Sequence, residues 1–483
     1  MNFQIVFYIL GNVLSVLGAF LMLPSIVGFC SGEKEGYVYL AVGLICIAVG
    51  LLIRHKIPQK NVFYSRDGFV AVSLSWILIS LVGAVPFYIT GEIPNFVDAL
   101  FETISGFTTT GSTILSDVEY LSKTSAFWRL FTHWVGGMGV LVFIMAVLPL
   151  SSSNSMSLMR AESPGPSVGK LVPKAKSTAM ILYGIYMVIT VSEAIALLCT
   201  GLNFYEAVTL TFSTVGTGGF GLLNSSVASY GISTQIVITV FMIVCGVNFN
   251  AYYLILKRRY GEAVKNEEIW TYFAIIFISS ALIAWNIKAP GQSYMASFQT
   301  SIFQVASIIS TTGFATDDFN LWPGFARSLM AMLTFLGACA GSTGGGFKVS
   351  RVIILWKAVK NEVTSIAHPR SVNQVRIDKK AVPSAVVRTV LVYLALYITV
   401  LSVSFLLLSI DQFDIVTNFT AVVATLNNVG PGLNVVGATG NFGGFSVFSK
   451  FVLMFDMLAG RLELFPVMIL LSPDLWARYK VKK

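Results

Sequence analysis

Charge is scarce in this chain, and so are the residues that build enzymes and metal sites. Only 11% of its 483 residues are Asp, Glu, Lys or Arg, and only three are histidine. His55, His133 and His368 are too scattered to ligate one metal and form no motif with neighbouring acids, so an intramembrane hydrolase has nothing to work with. Five cysteines (Cys30, Cys46, Cys199, Cys245, Cys339) show no paired spacing, which predicts free thiols rather than a disulfide frame. No nucleotide-binding motif is present. What is abundant is apolar: 55% of residues are hydrophobic and the mean hydropathy is +0.76, more than a soluble domain can hide. The class is a polytopic membrane protein.

Ten apolar stretches reach the length that crosses a ~30 Å hydrocarbon core. They run over 3–29, 37–53, 68–91, 124–150, 177–200, 233–256, 269–287, 323–347, 384–410 and 445–471. The first lacks a basic leader and a small-residue cleavage site before Cys30, so it reads as a retained helix. With the N-terminus inside, 25 Lys and Arg fall on the cytoplasmic side and six on the other, an asymmetry that predicts both termini in the cytoplasm. Positive-inside topology also accounts for the net charge of +9 without a nucleic-acid partner.

Between the spans, short polar clusters recur. With Gly111, Gly216, Gly313 and Gly430 in register, the preceding pairs are Thr109-Thr110, Thr214-Val215, Thr311-Thr312 and Asn428-Val429. The repeat is about a hundred residues, each unit being span, half-length segment, span. A segment of ~12 helical residues reaches about halfway across the bilayer at 1.5 Å per residue and must return by extended backbone. Such backbone is tolerated only where protein buries it or where it lines a wet cavity. Four copies entering from one side imply a pore, with carbonyl oxygens, hydroxyls and the negative ends of short helices facing a dehydrated cation. The predicted fold is all-α: two N-terminal helices (1–60), then four span/pore-loop/span repeats (61–160, 161–265, 266–365, 366–483) around a pseudo-fourfold pore.

At TTTGST, STVGTGGFG, STTGFAT and NNVGPGLN the sequence resembles the TrkH/TrkG/KtrB family of bacterial potassium-uptake proteins, relatives of plant and fungal HKT and Trk transporters. The extra N-terminal helices and the GSTGGGFK stretch strengthen the resemblance, which covers the whole chain. It implies that each repeat is similar to one potassium-channel subunit, with a filter degenerate from TVGYG. Glycine at Gly111, where some relatives carry serine, implies potassium as the transported ion; no cofactor is implied in this chain. Phe314 and Pro431 after the key glycines depart from a symmetric channel. The resemblance also implies a bacterial inner membrane, a homodimer, and a cytosolic nucleotide-binding partner similar to TrkA.

Two features lie inside the membrane. The eighth span carries Gly337, Gly341, Gly344, Gly345 and Gly346, and each interior glycine costs ~1 kcal/mol of helix relative to alanine. The span should break there, although Gly337 and Gly341 alone fit a small-residue packing face. By resemblance, the stretch is the family's gating loop. Arg461 stands about ten residues from the end of its span; burying it costs ~2.5 to 3.5 kcal/mol, so a partner or wet cavity is expected. Asp456 and Glu463 do not share its helix face. Either it pairs with another helix, or it projects into the pore below the filter as an electrostatic barrier, as the similar family arginine does. Asp117, Glu119, Asp317 and Asp318 follow filters one and three, either as loop acids or as a cation-concentrating mouth. The transport class has two readings: a passive channel-like pore, or a symporter coupled to protons or sodium through an intramembrane acid such as Glu193 or Asp456.

Overall fold

The computed structural model describes residues 3–55, 65–139, 175–291, 293–370 and 373–473. Helices α1 (Phe3–Ser31) and α2 (Glu35–Arg54) form an antiparallel hairpin. Its seam is glycine: Gly18 faces Gly43 and Gly11 faces Gly50, so closely that a Cβ at Gly18 would lie 2.6 Å from the Gly43 carbonyl oxygen. Lipid supplies no hydrophobic drive between apolar helices, and small residues let the backbones approach closely instead.

Four similar units follow. The first is α3 (Ser65–Thr90), the short α4 (Phe96–Phe107) and α5 (Lys123–Gly137). The second is α6 (Ala175–Cys199), the short α7 (Phe204–Val215), and α8 (Ile232–Cys245) with α9 (Phe249–Leu256), trailed by α10 (Tyr260–Val264). The third is α11 (Glu267–Ile287), the short α12 (Tyr294–Ile309), α13 (Gly324–Leu333) and α14 (Val349–Ala367), which runs past position 365. After a two-stranded hairpin (Arg376–Ile377 with Lys380–Ala381) come α15 (Ser384–Leu408), the short α16 (Ile415–Leu426), α17 (Val447–Arg461) and α18 (Phe465–Leu471). All five cysteines are free thiols.

Among the described residues, six helices are long and apolar enough to cross a membrane, those over 3–31, 35–54, 67–90, 177–199, 267–287 and 384–411. The other four predicted spans, the second of each repeat, do not run through as single helices. Helix α5 stops at Gly137, and positions 140–150 of its predicted span lie outside the described residues. Helices α8 and α9 bend by 89° across Gly246–Asn248. Helix α13 ends at Leu333, where the glycine-rich stretch begins as expected. Helix α17 ends at Arg461 itself, because Glu463 and Leu464 both take positive φ. Of these breaks the sequence predicts only the third, through its glycines. The others depend on one or two residues whose backbone leaves the helical region, which an averaged hydropathy does not register.

Each short helix starts with a side-chain cap. Asn95, Asn203, Ser293 and Asp414 accept backbone N–H groups at 2.9, 2.9, 3.3 and 3.0 Å. Such caps contribute about 1 kcal/mol each and fix where the half-span begins.

Candidate functional site

The ends of the four short helices follow one template. After each helix a residue adopts the left-handed conformation: Thr109 (φ 55°), Thr217 (φ 54°), Thr311 (φ 59°) and Asn428 (φ 53°). The N–H of the next residue turns back to a carbonyl five positions earlier, as Thr110 to Ser105 (2.9 Å), Gly218 to Ser213 (2.9 Å), Thr312 to Ser307 (2.8 Å) and Val429 to Ala424 (2.9 Å). This is the Schellman ending, which normally employs glycine at its left-handed position. Here non-glycine residues hold it, at a cost of about 1–3 kcal/mol apiece.

One position further on, Gly111, Gly219, Gly313 and Gly430 have φ of 80°, 83°, 85° and 98°. Each is pressed against the next repeat. A Cβ at Gly111 would lie 2.1 Å from the Gly218 carbonyl oxygen, at Gly219 2.0 Å from that of Thr312, at Gly313 2.2 Å from that of Val429, and at Gly430 2.7 Å from that of Thr110. The circuit closes, with repeats one to four in order around one axis. All four glycines line a cavity of about 130 Å³ at the mouth.

The second repeat therefore departs from the sequence register. Gly216 has φ of −68° and is the residue that ends α7, packed on the His133 carbonyl. Thr214 and Val215 are the last turn of that helix, and Thr214 donates its hydroxyl to the Leu210 carbonyl (2.9 Å). The segment that joins the circuit is Thr217-Gly218-Gly219, three residues later. The string STVGTGGFG offers two glycines, and the helix length selects the second. The predicted Thr109-Thr110-Gly111, Thr311-Thr312-Gly313 and Asn428-Val429-Gly430 do stand together on the circuit.

Polar atoms below the ring are partly unpartnered by protein. The Thr109 hydroxyl and the side-chain oxygens of Asn427 and Asn428 are buried without a hydrogen-bond partner among the described residues. Asn428 Nδ2 donates to Thr110 Oγ1 (2.9 Å) and to the Met457 carbonyl (2.9 Å), which fixes its oxygen in place. Buried oxygens without donors are costly unless something else fills the role, which a dehydrated cation can do.

A buried ion pair that sequence reasoning missed braces the mouth. Glu102, on α4, accepts from Arg129 Nε (2.6 Å), Thr113 Oγ1 (2.9 Å) and the Ile114 N–H (3.0 Å). Arg129 also donates to the Gly221 carbonyl (3.1 Å) and stacks over Phe220 at 3.5 Å. One pair thus ties together the segments leaving filters one and two. The only available signal was an acid and a base 27 residues apart within apolar segments.

The acids beyond the filters act as ties between outer loops. Asp117 accepts from Asn224 Nδ2 (2.8 Å), Glu119 from the Asn224 N–H (2.9 Å), Asp317 from Trp322 Nε1 (2.8 Å) and Asp318 from Thr439 Oγ1 (3.4 Å). None of the four lines the mouth cavity. The Asn224 amide holds the Asp117 carboxyl below the usual carboxylate range.

On the other side of the ring lies the glycine-rich loop. Gly345 donates its N–H to Thr311 Oγ1 (2.6 Å), a direct bond from loop to filter. Gly344 and Gly345 abut the carbonyls of Ser310 and Asn427; an added Cβ would lie 2.8 Å from either. Gly346 holds the turn at φ of 70°. Lys348 Nζ donates to the carbonyls of Gly344 and Gly345. Arg461 donates to the carbonyls of Thr343 (2.9 Å), Gly136 (2.5 Å) and Gly137 (2.8 Å), so its charge sits on the loop and on the negative end of α5. Arg461, Lys348 and Gly344–Gly346 line one cavity of about 70 Å³. Arg461 thus lines the cavity and is also bonded to the end of another helix. Its neighbour Glu463 pairs with Arg351 instead.

Comparison with known proteins identifies the family. The family model for TrkH, a cation transport protein, matches residues 36–477. The chain is 34% identical to the Trk system potassium uptake protein TrkH of Salmonella typhimurium, over 99% of this chain and all of that protein. It is 30% identical to the Trk system potassium uptake protein TrkG of Escherichia coli, over 94% of each. The crystal structure of the potassium transporter TrkH from Vibrio parahaemolyticus superposes with a TM-score of 0.88 at 30% identity, covering 99% of this chain and all of that one. These relatives are multi-pass bacterial transport proteins rather than enzymes. The chain belongs to the TrkH family of cation transport proteins.

Proposed function

We propose that this protein is the pore-forming subunit of a potassium uptake system, passing ions through the ring of Thr109–Gly111, Thr217–Gly219, Thr311–Gly313 and Asn428–Gly430. The observation that carries the reading is the closed circuit, in which each positive-φ glycine abuts the carbonyl preceding the glycine of the next repeat. Carbonyl-lined segments with no charged side chain replace water around a cation without trapping it. Potassium is the cargo, as the names of the relatives suggest, and not a resident cofactor. The mouth faces the outside of a bacterial inner membrane and both termini face the cytoplasm. An inside-negative potential then supplies ~2.3 kcal/mol per charge per 100 mV for passive entry.

The loop over 334–348 is the gate, held by Arg461 and Lys348 beneath the filter. A cytosolic nucleotide-binding subunit resembling TrkA controls it, and the working unit is a homodimer. Passive permeation is favoured over symport by position: Glu193 and Asp456 are buried but line neither cavity, and Asp456 accepts from Ser404 Oγ (2.7 Å). Flux into liposomes holding the purified protein, comparing potassium, rubidium and sodium with Gly111→Ser alongside, tests the proposal. Potassium-preferring flux without a second ion gradient, shifted toward sodium by Gly111→Ser, is the expected result. Dependence on a proton or sodium gradient would establish coupling instead.

A further inference from the structure

The loop beneath the filter is a hairpin whose two limbs run side by side. Gly337 donates to the Phe347 carbonyl (2.9 Å) and Val349 to the Ala338 carbonyl (3.3 Å). One flank is fastened to the bend between α8 and α9, with Cys339 N–H on the Gly246 carbonyl (3.0 Å) and Phe249 N–H on the Gly341 carbonyl (3.0 Å). These bonds are backbone to backbone and each takes one limb. A single side chain reaches both. Glu268, in the first turn of α11, accepts the N–H of Ala340 (2.7 Å) from the entering limb and that of Ser350 (3.0 Å) from the leaving one, both on the same oxygen.

We propose that Glu268 is the clasp of this loop, a positioning residue that holds the hairpin closed against the filter. The proposal rests on the reading of the loop as the gate. Three observations carry it. The carboxylate is buried, so its bonds to backbone N–H groups are charge-assisted and poorly replaced by water. Ser350 is in the first turn of α14, where the helix dipole favours a negative group, so the clasp also anchors the helix that the loop feeds into. Lys348, on the leaving limb, bonds to the carbonyls of Gly344 and Gly345, so the stretch beside the clasp is held as well. Drawing the loop away from Thr311 separates the limbs from α11 and strands the carboxylate; the clasp therefore weights the closed state.

The chemistry of the bond sets the test. Glu268→Gln keeps a carbonyl oxygen in the same place, Glu268→Asp keeps the charge but withdraws it by one methylene, and Glu268→Ala removes both. Potassium flux would be measured on full-length, monodisperse protein in liposomes without any partner, with thermal unfolding in detergent and the potassium-to-sodium preference recorded alongside. Basal flux should rise at least about tenfold in Ala and Asp, the effect of one lost charge-assisted hydrogen bond on a two-state equilibrium. Gln, which keeps the acceptor but loses the charge, should rise less than Asp and Ala, and ion preference should not change. A purely structural role predicts lower unfolding temperatures with unaltered flux per folded protein, and that result overturns the clasp. If Ala does not fold, equal flux in Asp and Gln overturns it as well. Arg461→Ala separates the two levels: flux raised by Arg461→Ala but not by Glu268→Asp removes the clasp and leaves the gate, whereas flux indifferent to both removes the gate reading itself.

Discussion

The two sides of the filter follow different rules. On the mouth side and through the ring, four repeats with little sequence in common share one backbone template, down to the turned-back N–H and the positive-φ glycine. Beneath the ring the symmetry ends. The second helix of the second repeat breaks at a short bend, that of the third at a long loop, and that of the fourth just after an arginine. Ion coordination requires four equivalent contributions, and a plug requires only one. The difference between ring and underside suits the proposed pore, with its ring of four contributions and one gate beneath it.

The contrast is open to attack at several strengths. The largest effect is expected at the ring. Gly219→Ala forces a Cβ onto the Thr312 carbonyl at a φ of 83°, and left-handed strain of roughly 1–3 kcal/mol adds to that overlap. Potassium flux should fall by about a hundredfold or more in the liposome assay. Next is the brace at the mouth. Glu102→Ala leaves Arg129 buried without its carboxylate, and breaking such a pair costs about 3–5 kcal/mol, which should appear as a lowered thermal unfolding temperature. If that temperature stays put, the brace is not holding filters one and two together.

On the underside, Arg461→Ala removes the donors on Thr343, Gly136 and Gly137 and should raise basal flux about tenfold while leaving the ring, and so ion preference, intact. A change of preference instead of rate would blur the division between the two sides. The smallest effect concerns the outer loops. The carboxyl of Asp117 is held below its ordinary range by Asn224, so the tie contributes above the unfolded value near 4 and is lost only as pH falls through the lowered one. The protection of the Val118 N–H, which donates to Asn224 Oδ1, measured as hydrogen exchange relative to the intrinsic rate at each pH, should therefore be unchanged from pH 7 to pH 5.

Much of this was legible in the chain. Spacing and composition pointed to the fourfold repeat, the break after α13, the uncommon position of Arg461 and three of the four segments that meet on the circuit. The second filter was misread because TVG looks more like a filter than TGG does, while the deciding quantity is where α7 ends; Gly216 is spent on the helix end. The bend at Gly246 and the break at Glu463 escaped because they are single-residue events inside apolar runs. Glu102 with Arg129, and Glu268 with its two N–H groups, join residues far apart in sequence, so no spacing marks them.

The register of the second repeat is the most exposed part of the account, and two serine substitutions test it. Potassium-to-sodium preference would be measured for Gly219→Ser and Gly216→Ser on folded, reconstituted protein. Loss of potassium preference in Gly219→Ser, with preference retained in Gly216→Ser despite its crowding of the His133 carbonyl, is the predicted result. Preference lost in Gly216→Ser and kept in Gly219→Ser would contradict the ring of four glycines described above.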